Sequence, residues 1–180
     1  PGEAGGAQAF YAGLVGGLRS IGVDADQVDV RIDESTFEAV LASYARCYDL
    51  DLHQYDLVIS TKAPTYLVRH PRHISYLVHT LRVFYDRFAG EFGEGTAELR
   101  RQRALIHALD KSALHPNRVR RHFTIGHTNY RRLLDADPFW RDIPYEVLHP
   151  PATVTGSKPP RSGQYFFLPG RLHRLKRADL

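Results

Sequence analysis

Four short runs rich in apolar, β-branched and aromatic residues recur along this chain, each separated from the next by a stretch of helical character. They are Tyr55-Asp-Leu-Val-Ile-Ser-Thr61, His73-Ile-Ser-Tyr-Leu-Val-His79, Arg121-His-Phe-Thr-Ile-Gly126 and Tyr145-Glu-Val-Leu148. That alternation constrains the fold more than any other feature. Parallel strands cannot be joined by a tight hairpin and need a crossover, most often a helix. Strands are therefore expected at 55–60, 74–78, 123–125 and 146–148. Between them, 96–114 reads as a long helix with Leu99, Ile106, Leu109 and Ala113 on its inner face, and 129–135 as a short one. Upstream, 7–21 carries a helical stripe at Phe10, Leu14, Leu18 and Ile21, weakened by Gly13, Gly16 and Gly17. Residues 28–32 alternate like a strand. Ser35-x-x-Glu38 reads as a capping box opening a helix over 36–48. The expected class is α/β, a Rossmann-like open and mainly parallel sheet with helices on both faces.

A chain of 180 residues with 43% hydrophobic residues can bury one ordinary core. No run has the apolar length of a membrane helix, and the polar start, Pro1-Gly-Glu-Ala-Gly-Gly6, has no signal-peptide pattern. The sequence contains no methionine, which suggests a piece of a larger protein. Cys47 is the single cysteine, so an internal disulfide is impossible and a reducing, cytoplasmic setting is expected. It lies among Phe37, Val40, Leu41 and Tyr44 at helical spacing, which reads as core packing in preference to a catalytic thiol. The formal charge of +4 is scattered in short arginine clusters (69–72, 100–103, 118–121). The charge is compatible with nucleic acid, an anionic membrane surface or phosphorylated substrates, although solvated helix faces explain most of the clusters. No basic–aromatic signature points to nucleic acid. Residues 1–151 form the expected main domain. From 152 to 163 the composition turns to Thr, Pro, Gly, Ser and Lys, an interdomain linker, and 164–180 reads as the strand and helix start of a second domain.

Several positions could carry chemistry. His79 closes an apolar strand, with Thr80 and Arg82 beyond it, and open parallel sheets bind ligands at that end. A histidine there can hydrogen-bond a substrate hydroxyl or assist a proton; the competing reading is a rim histidine bonded to backbone. Gly2-x-x-Gly5-Gly6-Ala7 precedes a helix and could let amides approach an anion, or could simply be a frayed terminus. His70-x-x-His73 has Pro71 inside it and abuts a strand, so no metal site and no cofactor are expected. At the end, Tyr165-Phe-Phe-Leu-Pro-Gly-Arg-Leu-His-Arg-Leu-Lys-Arg177 reads as strand, turn and helix start. Arg171 and Lys176 then sit where cations face phosphate, unless they are only a basic tail.

Taken in order, these elements resemble retaining glycosyltransferases of family 4: the glycine turn, the His79-Thr80 strand end, Arg82-Val-Phe-Tyr-Asp86, Thr124-Ile-Gly126, the Pro150-Pro151 exit and Gly170-Arg171-Leu172 with Lys176. Where the family's third pattern has a serine, Gly126 stands here. The resemblance implies the two-domain GT-B fold, of which this chain supplies the acceptor-side half with its first strand missing. It implies transfer of a sugar from a nucleotide-sugar to a glycan or lipid-linked acceptor, with retention of configuration and without a metal. It places His79 against the transferred sugar and gives the donor diphosphate to Gly5, Gly6, Arg171 and Lys176. Arg82 and Asp86 match the stretch that meets the acceptor. The family's Glu-x7-Glu pair does not occur in these residues, so the isolated chain is expected to have little activity. The runner-up is a non-catalytic Rossmann- or flavodoxin-like module that binds a phosphorylated ligand or a protein partner.

Overall fold

The structure is a computed structural model and describes residues 6–150. Gly5, the stretch 152–163 and the segment 164–180 with Arg171 and Lys176 lie outside the described residues. The elements run α1 (Gly6–Ser20), α2 (Phe37–Tyr48), β1 (Val58–Lys62), β2 (His73–His79), α3 (Phe88–Phe92), α4 (Ala97–Ala113), β3 (Arg121–Thr124), α5 (His127–Ala136) and β4 (Glu146–Val147). Short 3-10 turns follow β1 at Thr65–Leu67, β2 at Arg82–Phe84 and α5 at Pro138–Asp142.

The helices start and stop for local reasons. Thr36 is extended and its hydroxyl accepts the Ala39 amide, while Glu38 and Arg46 sit at the dipole ends they favour. The cap is thus Thr36 and not the Ser35 of the expected box; the Ser35 amide instead donates to Asp33 Oδ1 at 2.9 Å. Thr96 caps α4 in the same way through the Leu99 amide, with Glu98 in the first turn and Lys111 in the last.

All four strands are parallel, in the order β1-β2-β3-β4. The order follows the chain, so among the described strands the winding never reverses. β1 begins later than the sequence suggests because Tyr55 closes a turn onto Leu52 O; the ladder opens with Val58 N donating to Arg72 O. Residues 28–32 are not a strand. Val30 and Ile32 do turn onto the core, but the neighbouring backbone bonds with α2 side chains: Arg46 donates to Arg31 O at 2.6 Å, and Ser43 Oγ accepts the Asp33 amide at 2.9 Å. Alternation marks an apolar side; a strand also needs a ladder partner.

Register gives the sheet two unlike faces. On one side Leu77 joins the core built from Val40, Tyr44 and Cys47 of α2, Ile106 and Ala113 of α4, and Tyr130 and Leu133 of α5. On the other, Tyr76 meets Phe10 of α1 edge-on at 5.2 Å between ring centres. Helices therefore cover both faces. The Leu77 face is unusually polar: His73 lies 2.8 Å from Ser60 Oγ, and His122 and Thr124 are buried in the adjoining strand. In the core proper, Asp110 is fully buried and accepts the hydroxyls of Tyr44 and Tyr85 at 2.7 Å each. One carboxylate thereby ties α2, the turn after β2 and α4 together. No helix among the described residues is long and apolar enough to cross a membrane.

Candidate functional site

The carboxyl ends of the strands gather the side chains with chemical capacity. His79 is the last residue of β2 and pairs in register with Lys62, the last of β1. The ladder closes just beyond, where Ala63 N donates to His79 O at 3.1 Å. On the β3 side, Gly126 caps α5 without a side chain. Asn129, in the first turn of α5, donates to Val78 O and so docks the helix start against the end of β2.

The chemistry of His79 follows from its neighbours. Its Nδ1 lies 3.1 Å from Thr80 O, a carbonyl that can only accept, so in the neutral ring Nδ1 carries the proton and Nε2 the lone pair. Burial lowers the imidazole below its usual range, partly opposed by that bond to Thr80, and the cations Lys62 and Arg132 lower it further against Glu34. The ring is neutral at neutral pH and presents an acceptor. Thr80 beside it is 1% exposed, and its hydroxyl has no partner.

The turn after β2 carries an ion-pair cluster. Arg82 grips Asp86 with Nε at 3.2 Å from both oxygens and Nη2 at 2.7 Å from Oδ2. Arg132 of α5 approaches the same oxygen at 3.1 Å, although its Nε closes no hydrogen bond. Burial works against the Asp86 charge, but Arg82 and Arg132 outweigh it and hold the carboxyl below the usual range. The turn is anchored from below by α4: Arg103 Nε and His107 Nε2 both donate to Phe84 O, at 3.0 and 2.7 Å, and His107 stacks on Tyr85. Arg82 and Asp86 are therefore held as a unit, one turn past His79.

Gly6 opens α1 and is exposed, with open space around it. The structure places Phe10, one turn further on, against Tyr76. His70 and His73 have separate partners, Tyr55 O and Ser60 Oγ, and do not converge. Among the described residues no group of three or more His, Cys, Asp or Glu is arranged to hold a metal. Cys47 is fully buried, and burial pushes its thiol up to about 11, which suits packing and not attack. A depression of about 450 Å³ lies at the opposite edge, lined by loops that enter β1 and β2 and include Asp49, Asp51, His53 and Arg69. It is open, shares no residue with the His79 region, and brings acids and bases together without a buried polar group.

Sequence reasoning reaches Thr80 only as the neighbour of His79, and it misses Lys62 and Arg132. Lys62 follows the apolar run it terminates, and Arg132 lies three residues past Asn129, hence on the same side of α5; those are the signals that could have found them. The fold and this edge define an α/β protein with an open parallel sheet and a polar, mainly cationic carboxyl rim. No protein-family model, curated protein or solved structure matches the chain.

Proposed function

We propose that this chain is the acceptor-side half of a retaining glycosyltransferase, which passes a sugar from a nucleotide-sugar to a glycan or lipid-linked acceptor. The observation that carries the reading is the neutral His79, its Nε2 lone pair at the carboxyl rim of a parallel sheet, in register with Lys62 and followed one turn later by the Arg82–Asp86 pair. This is the edge at which open α/β sheets bind ligands, and the ordered resemblance to family 4 enzymes assigns it to sugar transfer.

In this reading the His79 Nε2 accepts a hydroxyl of the transferred sugar and fixes its orientation, which is worth more as the glycosidic bond opens. Asp86, held ionised by two arginines, offers oxygens to acceptor hydroxyls, and Arg82 keeps the carboxylate in place. The resemblance gives Arg171 and Lys176 the departing diphosphate, where a fixed cation would oppose developing charge; losing one such donor costs on the order of 3 kcal/mol. The absence of a Glu-x7-Glu pair from these residues means that turnover requires a donor domain.

The test is a transfer assay with a panel of nucleotide-sugars, run on the enzyme that joins this chain to a donor domain. His79→Ala, Arg171→Ala and Lys176→Ala should each lower kcat sharply. Arg171→Lys should rescue only in part, because a point charge does not replace a planar fork on phosphate. Wild-type turnover in all three alanine variants would remove the proposal.

A further inference from the structure

A polar stripe runs along α4 toward the turn after β2. Arg103, His107 and Asp110 recur at helical spacing and so share one side of the helix. All three address two consecutive residues of that turn. Arg103 Nε and His107 Nε2 donate to Phe84 O at 3.0 and 2.7 Å, and the His107 ring stacks on Tyr85 with ring centres 4.3 Å apart. Asp110 Oδ2 accepts the Tyr85 hydroxyl at 2.7 Å, while Oδ1 accepts that of Tyr44 at the same distance. Burying a carboxylate is costly, and a well-packed apolar side chain often stabilises a core as well or better. Asp110 is fully buried all the same. What a carboxylate supplies that an apolar residue cannot is a directional tie.

The tie ends next to the rim. Phe84 and Tyr85 are buried, whereas Arg82 and Asp86 of the same turn keep their paired charged ends part-exposed. Tyr85 and Asp86 are adjacent, so holding the phenol holds the backbone that carries the Asp86 carboxylate. The Tyr85 and Arg87 amides both donate to Arg82 O at 3.0 Å and close the turn on either side of Asp86. Burial raises the Asp110 carboxyl to about 6, so at neutral pH it is ionised. Its bond from Tyr85 is then charge-assisted and roughly twice as strong as one between neutral groups.

We infer that Asp110 is a positioning residue for the carboxyl rim: acting through the Tyr85 hydroxyl, it fixes where Asp86 and its partner Arg82 stand. That Asp86 meets a sugar acceptor rests on the glycosyl-transfer reading; the positioning does not.

Native-state amide exchange of the 180-residue chain at neutral pH tests it, with protection of the Tyr85 and Arg87 amides measured relative to those of β2. Tyr85→Phe keeps the ring and its stack on His107 but removes the hydroxyl, and it should lower that relative protection at least about tenfold. Asp110→Asn should loosen the turn as well, and the double variant should lose no more than the worse single one. Tyr44→Phe removes the other hydroxyl from the same carboxylate. It should leave the turn within about twofold of wild type, which separates positioning from a general loss of core stability. Circular dichroism checks that each variant is folded. An unchanged turn in Tyr85→Phe, an equal loss in Tyr44→Phe, or losses that add in the double variant would overturn the assignment. In the enzyme joined to a donor domain, Tyr85→Phe should raise the acceptor KM at least about fivefold and leave the donor KM in place. A loosened turn with both KM values unchanged leaves Asp110 in its positioning role and removes Asp86 from the acceptor contact that the transferase reading gives it.

Discussion

Asp110→Asn should steepen the dependence of stability on pH between about 4 and 6. Burial pushes the Asp110 carboxyl up to about 6 from an ordinary 3.8, against the hydroxyls of Tyr44, Tyr85 and Tyr66 that favour its charge. The raised value means that the folded state holds a proton the unfolded state has released between about pH 4 and 6. Asp110 therefore adds stability that is full below pH 3.8 and is lost as pH rises through about 6. The buried histidines work in the other direction. Burial lowers both His73 and His122 to about 4 from 6.5, so over the same window the unfolded state binds two protons that the folded state refuses. Their stability is present above 6.5 and lost as pH falls toward about 4. In the wild-type chain the unfolded state thus gains two protons and the folded state one, a net slope of about 1.4 kcal/mol per pH unit from these three groups. Asparagine has no proton to offer, and the slope doubles to about 2.7 kcal/mol per unit. Urea denaturation at several pH values between about 4 and 6, for both proteins, reads the difference: the Asp110→Asn variant should lose about 3 kcal/mol more than wild type as pH falls across that range. Parallel profiles would mean that Asp110 binds no extra proton on folding.

Other consequences are local. Tyr85→Phe removes one of the two hydroxyls that Asp110 accepts and should cost about 1–3 kcal/mol in a urea melt at neutral pH; a change below a few tenths would show that this bond adds nothing. Thr36→Ala strips the cap from α2 and should cost about 1 kcal/mol, with Thr36→Ser restoring most of it. Cys47, buried with its thiol pushed up to about 11, should react with a disulfide reagent only at the rate at which the chain opens. Rapid modification of the folded protein would contradict its place in the core.

The elements that sequence exposes well are those whose pattern and partner agree. β2 is legible because its apolar run, its length and its end at His79 all coincide, and α4 because Thr96 and a regular inner stripe mark it. The segment 28–32 has the pattern of a strand without the neighbour, and pattern alone cannot supply one. The shift of the α2 cap from Ser35 to Thr36 reflects a choice between adjacent hydroxyl residues that Asp33 decides by taking the Ser35 amide. Asp110 falls between Ile106 and Ala113 on an otherwise apolar stripe; its role depends on Tyr44 and Tyr85, 66 and 25 residues away, a distance over which periodicity is silent. His73 and His122 escape for the same reason, since their burial follows from register across the sheet and not from local composition. At the rim, strand-end logic locates His79, whereas the buried, unpartnered Thr80 hydroxyl and the Arg132–Asp86 ion pair become visible only with neighbours in place.

If sugar transfer takes place at the carboxyl rim, as proposed, the ring resonances of the histidines report it. Titrating the chain with a panel of nucleotide-sugars should shift the His79 signals with at least one member, weakly and saturably, and leave those of His53 and His70 at the opposite edge in place. His79→Ala, otherwise folded, should lose the interaction. A panel that moves His53 and His70 but not His79, or that moves no histidine at all, would contradict the claim.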